Sequence, residues 1–236
     1  MHARFGRGAH SKATLRALGD QVVVITGGSS GIGRETAIRM GRAGARVVVL
    51  SRDADGLSNT VDEIVRDGGR GRHIVCDVTD ATAVQSAVGL VEEWFGRIDT
   101  WVGNAGVLMY APFADTSPDE FRRMLEVNFI GQIIGIQAVL PALRRAGGGA
   151  LICVTSTEAV VTLPMHSAYA ASKHALEGAL DGLRRELLDA KEAIRLTVVR
   201  PAVIDTAIYP HARNRMSRAP SAPRPFYAPG VVADAI

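Results

Sequence analysis

The stretch SAYAASKHAL places Tyr169 four residues before Lys173. Residues i and i+4 share one face of a helix, so this spacing sets a phenol beside an ammonium. A free phenol titrates near pH ~10, and a neighbouring cation is expected to lower that value. Such a pair is a proton relay, able to protonate a developing alkoxide or to deprotonate an alcohol. The chain has four tyrosines and three lysines in 236 residues, so the match is uncommon by chance but not decisive.

Two further residues strengthen it. Ser156 ends the run ALICVTS, thirteen residues before Tyr169, and its hydroxyl is placed to bond a substrate oxygen. Asn128 sits inside the long 118–146 helical pattern, between Val127 and Phe129, where asparagine is unfavourable and needs a reason. A nucleophilic triad around Ser156 is not supported, since no ordered Asp and His accompany it.

The elements that must position these groups are legible as periodicity. Short β-branched runs at 21–26, 46–51, 72–78, 98–104, 150–156 and 194–200 read as strands. Helical patterns near 32–43, 55–67, 80–95, 118–146 and 168–190 lie between them. This alternation predicts an α/β fold, a doubly wound parallel sheet with right-handed crossovers. A last helix begins in APGVVADAI, with Pro229 in its first turn.

The first strand runs into TGGSSGIG, residues 26–33. Gly27, Gly31 and Gly33 suit a tight turn, close approach of backbone to phosphate, and close packing of helix on strand. Ser29, Ser30 and Ile32 complete the loop, and the helix that follows aims free N–H groups at a pyrophosphate. Ser51 and Arg52 end the second strand, where an adenosine ribose lies in such folds. A cation there accommodates a 2′-phosphate, so the sequence favours NADP(H) over NAD(H), although Asp53 follows directly.

Composition bounds the rest. Hydrophobic content of 47% and a net charge of +3 suit one globular domain over 20–236. No apolar run approaches the ~20 residues of a membrane span, no secretory pattern opens the chain, and a cytoplasmic protein is expected. Cys76 and Cys153 read as buried thiols, and no metal-ligand spacing occurs. Arginine, at 24 residues, forms no basic and aromatic stripe for nucleic acid. Residues 1–19 read as a basic, flexible extension, a transit peptide being the alternative. Residues 207–227 read as a mobile substrate loop, because HARNRMSRAPSAPRP within them is basic and proline-rich.

Taken together, TGGSSGIG, CDV (76–78), GNAG (103–106), VNFIGQ (127–132), Ser156 and YAASK (169–173) resemble the short-chain dehydrogenase/reductase family over residues 20 to about 206. The resemblance implies a sheet of order 3-2-1-4-5-6 and a catalytic tetrad of Asn128, Ser156, Tyr169 and Lys173. It assigns Asp77 and Val78 to the adenine, and Asn104, Ala105 and Gly106 to the cofactor wall. Pro201, Ile204 and Thr206 go to the nicotinamide end, Lys173 to its ribose, and Asn128 to a water linking Lys173 to solvent. It also implies a homo-oligomer through the 118–146 and 168–190 helices. Three departures stand out: Gly103 where the family has Asn, Ala202 where it has Gly, and no strand after the last helix of this sequence.

The activity implied is reversible hydride transfer between a nicotinamide and a carbonyl or secondary alcohol, with Tyr169 as general acid and base. Residues 157–166, Leu108, Met109 and the loop from Ile208 to Phe226 are the expected pocket wall, which is largely apolar and fits an apolar small molecule. Glu158 reads as a solvated carboxylate, with pairing to a substrate hydroxyl or amine as the alternative. His166 and His211 read as loop residues without a catalytic task. The rival reading is an inactive nucleotide-binding sensor on the same fold, with a dehydratase or epimerase as a third.

Overall fold

A computed structural model describes residues 15–216 and 220–236. Most of the basic extension, residues 1–14, and residues 217–219 of the expected loop therefore lie outside the described residues.

Six strands form the main sheet: β1 (Val22–Thr26), β2 (Arg46–Ser51), β3 (Arg70–Val75), β4 (Thr100–Gly103), β6 (Gly149–Val154) and β7 (Ile194–Val199). All pair in parallel, in the order β3-β2-β1-β4-β6-β7. This is the expected order, with one short strand, β5 (Met109–Tyr110), inserted in the chain before β6. The helices are α1 (Gly31–Arg42), α2 (Ala54–Arg66), α3 (Ala81–Phe95), α4 (Pro118–Leu125), α5 (Gly131–Arg145), α6 (Ser167–Asp189) and α7 (Pro229–Ala233).

Period-two side-chain alternation decides which helix packs on which face. Val22 and Val24 of β1 join Val48, Leu50 and Trp101 against α3, α5 and α6. Val23 and Ile25 join Val47 and Val49 against α1 and α2. Both faces of β1 are therefore closed, which is why its sequence is continuously apolar.

β3 differs from its expected span of 72–78. It starts at Arg70, stops at Val75, and is largely exposed. It is an edge strand, paired only with β2. Past its end the chain turns, because Asp77 Oδ1 accepts hydrogen bonds from Thr79 N (3.0 Å) and Thr79 Oγ1 (2.8 Å).

The expected 118–146 helix is broken. α4 opens on a capping box between Ser117 and Glu120, and a π-helical turn, Glu126–Ile130, separates it from α5. Such turns insert one residue and re-aim side chains, often at functional sites. Here the turn carries Asn128. The span 118–145 is the one segment among the described residues long and apolar enough to cross a membrane, a possibility missed in the sequence; half of its most apolar stretch is buried within the domain.

Within the expected loop, β8 (Arg213–Asn214) pairs in parallel with β5, and Arg213 Nε (2.7 Å) and Arg215 Nη2 (2.9 Å) both reach Glu120 Oε1. The capping hydrogen bond from Ser117 N, with these two guanidiniums, holds the Glu120 carboxyl at about 2, well below the usual carboxylate range.

Candidate active site

A cleft of about 320 Å³ opens at the carboxyl ends of β1, β2, β4 and β6, the ligand-binding edge of open α/β sheets. The glycine loop forms its floor. Gly27 (φ 67°) and Gly31 (φ 54°) adopt left-handed backbone that side chains disfavour. Gly33 does not line the cleft; a β-carbon there would overlap Gly27 O and Asn104 Nδ2. Its task is close packing, which lets α1 begin beside the loop. Ser30 caps α1 without a side-chain hydrogen bond, so the helix presents backbone N–H groups to the cleft.

β4 is tied to this loop through Asn104. Its Nδ2 donates to Thr26 O (3.1 Å) and Gly27 O (3.2 Å). Its backbone N and that of Ala105 donate to Thr26 Oγ1 at 3.0 and 3.1 Å. The expected loop residues Ser29, Ser30, Gly31 and Ile32 line the cleft, as do Ser51, Arg52 and Val78. Asn104, Ala105 and Gly106 line it, as do Pro201, Ile204 and Thr206. Asp77 stands just behind, 3.6 Å from Arg52 Nη1. Asp53 also reaches the cleft, but its Oδ1 accepts from Gly56 N (3.0 Å) and caps α2.

At the far end, the first turns of α6 present Tyr169 and Lys173 beside Ser156. Lys173 is buried, donates to Val154 O (3.2 Å), and lies 5.7 Å from the Tyr169 ring centroid. Burial pushes its ammonium down to about 8. Tyr169 departs from expectation: burial raises its phenol well above the ordinary value, and Glu158 adds to the rise. A hydrogen bond with Ser156 offsets part of this. Desolvation at this depth outweighs the nearby cation, so the resting proton stays on Tyr169.

Asn128 is fully buried behind the cleft. Its Nδ2 donates to Val107 O (2.9 Å) and Ser172 Oγ (3.0 Å), and its Oδ1 accepts from Val107 N (2.8 Å). The side chain is thus committed to joining the π turn, the segment after β4, and α6.

The Gly103 departure has a structural answer. A β-carbon on Gly103 would overlap Gln132 Oε1. Gln132, from α5, fills the space a larger residue would take, and its Nε2 donates to Ala105 O (3.4 Å). Ala202 sits where the cleft meets a second cavity.

That second cavity, about 440 Å³, lies beyond Ser156 and Tyr169. Leu108, Ile208 and residues of the 157–166 loop line it, as expected, whereas Met109 turns into the core against Met124 and Ala168. One expectation fails here: Glu158 is buried rather than solvated. His166 lies in the loop before α6, as expected, and is 3% exposed. His166 Nδ1 lies 2.9 and 3.0 Å from the two Glu158 carboxylate oxygens. The Tyr110 ring meets His166 edge-on at 4.2 Å. No local pattern marks this cluster, because loop folding alone joins positions 110, 158 and 166. His211 is exposed and lines the first cleft.

A glycine-cradled cleft at a sheet's switch point, ending in a buried Tyr–Lys pair, defines a Rossmann-like oxidoreductase scaffold. The family model for short chain dehydrogenases matches residues 21–217, and the chain belongs to that family. It is 38% identical over 191 residues to dehydrogenase/reductase SDR family member 7B of Bos taurus, covering 78% of this chain and 58% of that protein. It is 35% identical over 228 residues to the uncharacterized oxidoreductase YxnA of Bacillus subtilis (strain 168), covering 96% of this chain and 64% of that protein. The chain thus spans about three fifths of the length of these relatives. Among solved structures, the alcohol dehydrogenase from Thermococcus sibiricus complexed with 5-hydroxy-NADP superposes with a TM-score of 0.80 at 28% identity, covering 91% of this chain and 88% of that one.

Proposed function

We propose that the chain is an NADP(H)-preferring oxidoreductase that interconverts a carbonyl and a secondary alcohol on an apolar small molecule. The observation that carries this reading is the continuity of the cleft. It runs from Arg52 past the glycine loop to Ser156, Tyr169 and Lys173, without a protein side chain filling the route. The residues fit a dinucleotide: glycines where phosphates need backbone, an unsatisfied helix N-terminus, and a cation at the ribose end.

A bound nicotinamide dinucleotide supplies or accepts the hydride. Tyr169 keeps its proton at rest and so donates it to the oxygen of a carbonyl being reduced; in oxidation it takes the proton back. Ser156 steadies that oxygen as charge develops. Lys173 binds the nicotinamide ribose and relays the proton onward. Asn128 keeps α6 and the β4 loop in register and so fixes where Lys173 stands. Arg52, with its guanidinium 3.6 Å from Asp77, reads a 2′-phosphate, whereas Asp53 is occupied as a helix cap.

Of the features that favoured the rival reading, an inactive nucleotide sensor, Gly103 is answered by Gln132, which occupies the space there. A cytoplasmic setting accords with the two buried free thiols, Cys76 and Cys153. NADPH should raise the Tm more than NADH does. Tyr169→Phe should lower turnover of a carbonyl panel by at least ~10²-fold, with the NADPH-induced Tm shift retained. Unchanged turnover would overturn the assignment of Tyr169.

A further inference from the structure

Resting on the oxidoreductase reading above, we infer that Glu158, fixed by His166, selects the substrate: its carboxylate receives a hydroxyl or ammonium carried close to the reacting carbon of an otherwise apolar molecule. Four observations converge. Glu158 lies two residues beyond Ser156, and its backbone N donates to Ser156 Oγ (3.0 Å). The carboxylate therefore leaves the chain next to the hydroxyl that faces the substrate oxygen. It lines the same cavity as Ser156 and Tyr169. The surrounding walls, Val160, Val161, Leu163, Leu108 and Ile208, offer apolar side chains. A lone acid in such a wall is costly unless it meets a donor.

The existing donors do not exhaust it. A carboxylate has about four acceptor positions. His166 Nδ1 lies against both oxygens at 2.9 and 3.0 Å, and Leu163 N reaches Oε2 at 3.4 Å. Two donors therefore serve the group, and its side chain keeps 12% of its surface. The imidazole is itself held by the Tyr110 ring edge, so the carboxylate has a fixed direction. A molecule lacking a donor closes the cavity over a carboxylate that has lost water and gained nothing; one bearing a donor avoids that loss. Burial raises the Tyr110 and Tyr209 phenols, and Glu158 adds to both rises, which agrees with its place beside them.

The test uses matched ketones with NADPH: acetophenone, 2-hydroxyacetophenone and 2-aminoacetophenone. The hydroxylated ketone should be favoured in kcat/KM by about tenfold or more, chiefly through KM. Glu158→Leu should bring that ratio near one, while Glu158→Gln should keep much of the hydroxyl preference and lose the amine preference. Thermal shift of the NADP⁺-loaded protein by each ketone gives the same comparison without turnover. An equal ratio in the parent and in Glu158→Leu overturns the inference and leaves the oxidoreductase reading intact. If Glu158→Leu does not fold, an unaltered amine preference in Glu158→Gln overturns it instead. Nucleotide binding with no ketone reduced in any arm defeats the oxidoreductase reading, and this inference falls with it.

Discussion

Tyr169 and Lys173 are each shifted away from their charged forms by the same cause, loss of water. The phenol rises and the ammonium falls to about 8. For Lys173 the sign of the pH dependence follows directly. Below pH ~8 it carries its charge in the folded and unfolded chain alike, so its burial is a constant cost. Between about 8 and its ordinary 10.5 the folded chain gives up the proton first. The unfolded state then binds more protons, so stability from this site rises with pH. The Tm of the parent minus that of Lys173→Met should be flat from about pH 6 to 7 and grow from about pH 8 to 9.5. A difference that stays flat or shrinks over the upper range would contradict the burial of a charged Lys173. Both residues were legible in the sequence because i,i+4 spacing is local. The direction of the tyrosine's shift was not, because it depends first on burial, to which Glu158, Tyr209 and Tyr110 add when the fold brings them near.

At the scale of elements, β4 and α5 exchange volume. Gly103 ends β4 without a side chain, and Gln132 of α5 occupies the vacated space, with Oε1 buried and unpaired. Restoring an asparagine by Gly103→Asn should therefore destabilise rather than repair the turn. Overpacking of this kind costs about 1–3 kcal/mol, a loss of several degrees in Tm by calorimetry. Gln132→Ala in the same chain should recover most of it, and the absence of recovery would show that the two positions do not compete. The π turn belongs to the same scale. A period of 3.6 residues predicts one helix over 118–146, with Asn128 inside it as a residue that needs a reason. Within the turn the Asn128 side chain bonds Val107 on one side and Ser172 on the other, two contacts remote in sequence.

Across the whole molecule, the cleft runs from Arg52 at one end to an apolar cavity beyond Tyr169 at the other. Arg52→Ala should weaken NADPH binding about tenfold, the equivalent of ~1.4 kcal/mol, and change NADH binding less than twofold. Equal losses for both nucleotides would remove the case for a 2′-phosphate. The outer face of α6 carries Ala171, Gly178 and Gly182, exposed and with open space at both glycines. That face agrees with association of two copies through α5 and α6. Sedimentation should therefore report a dimer or larger, and a monomer at micromolar concentration would reject the assembly.

The sequence by itself determined the alternation of strands and helices, the glycine loop and the Tyr–Lys pair, each written in spacing over a few residues or in a whole-chain rhythm of buried runs. The sheet order followed only from the family resemblance. Tertiary structure alone decided that Glu158 and His166 are buried partners in a cavity wall, that Gln132 answers Gly103, and that residues 213–215 dock on Glu120. Burial and partnership in these places are set by which distant segments meet. No local period records such meetings, and the loss of water that follows reverses what residue type alone predicts for the tyrosine.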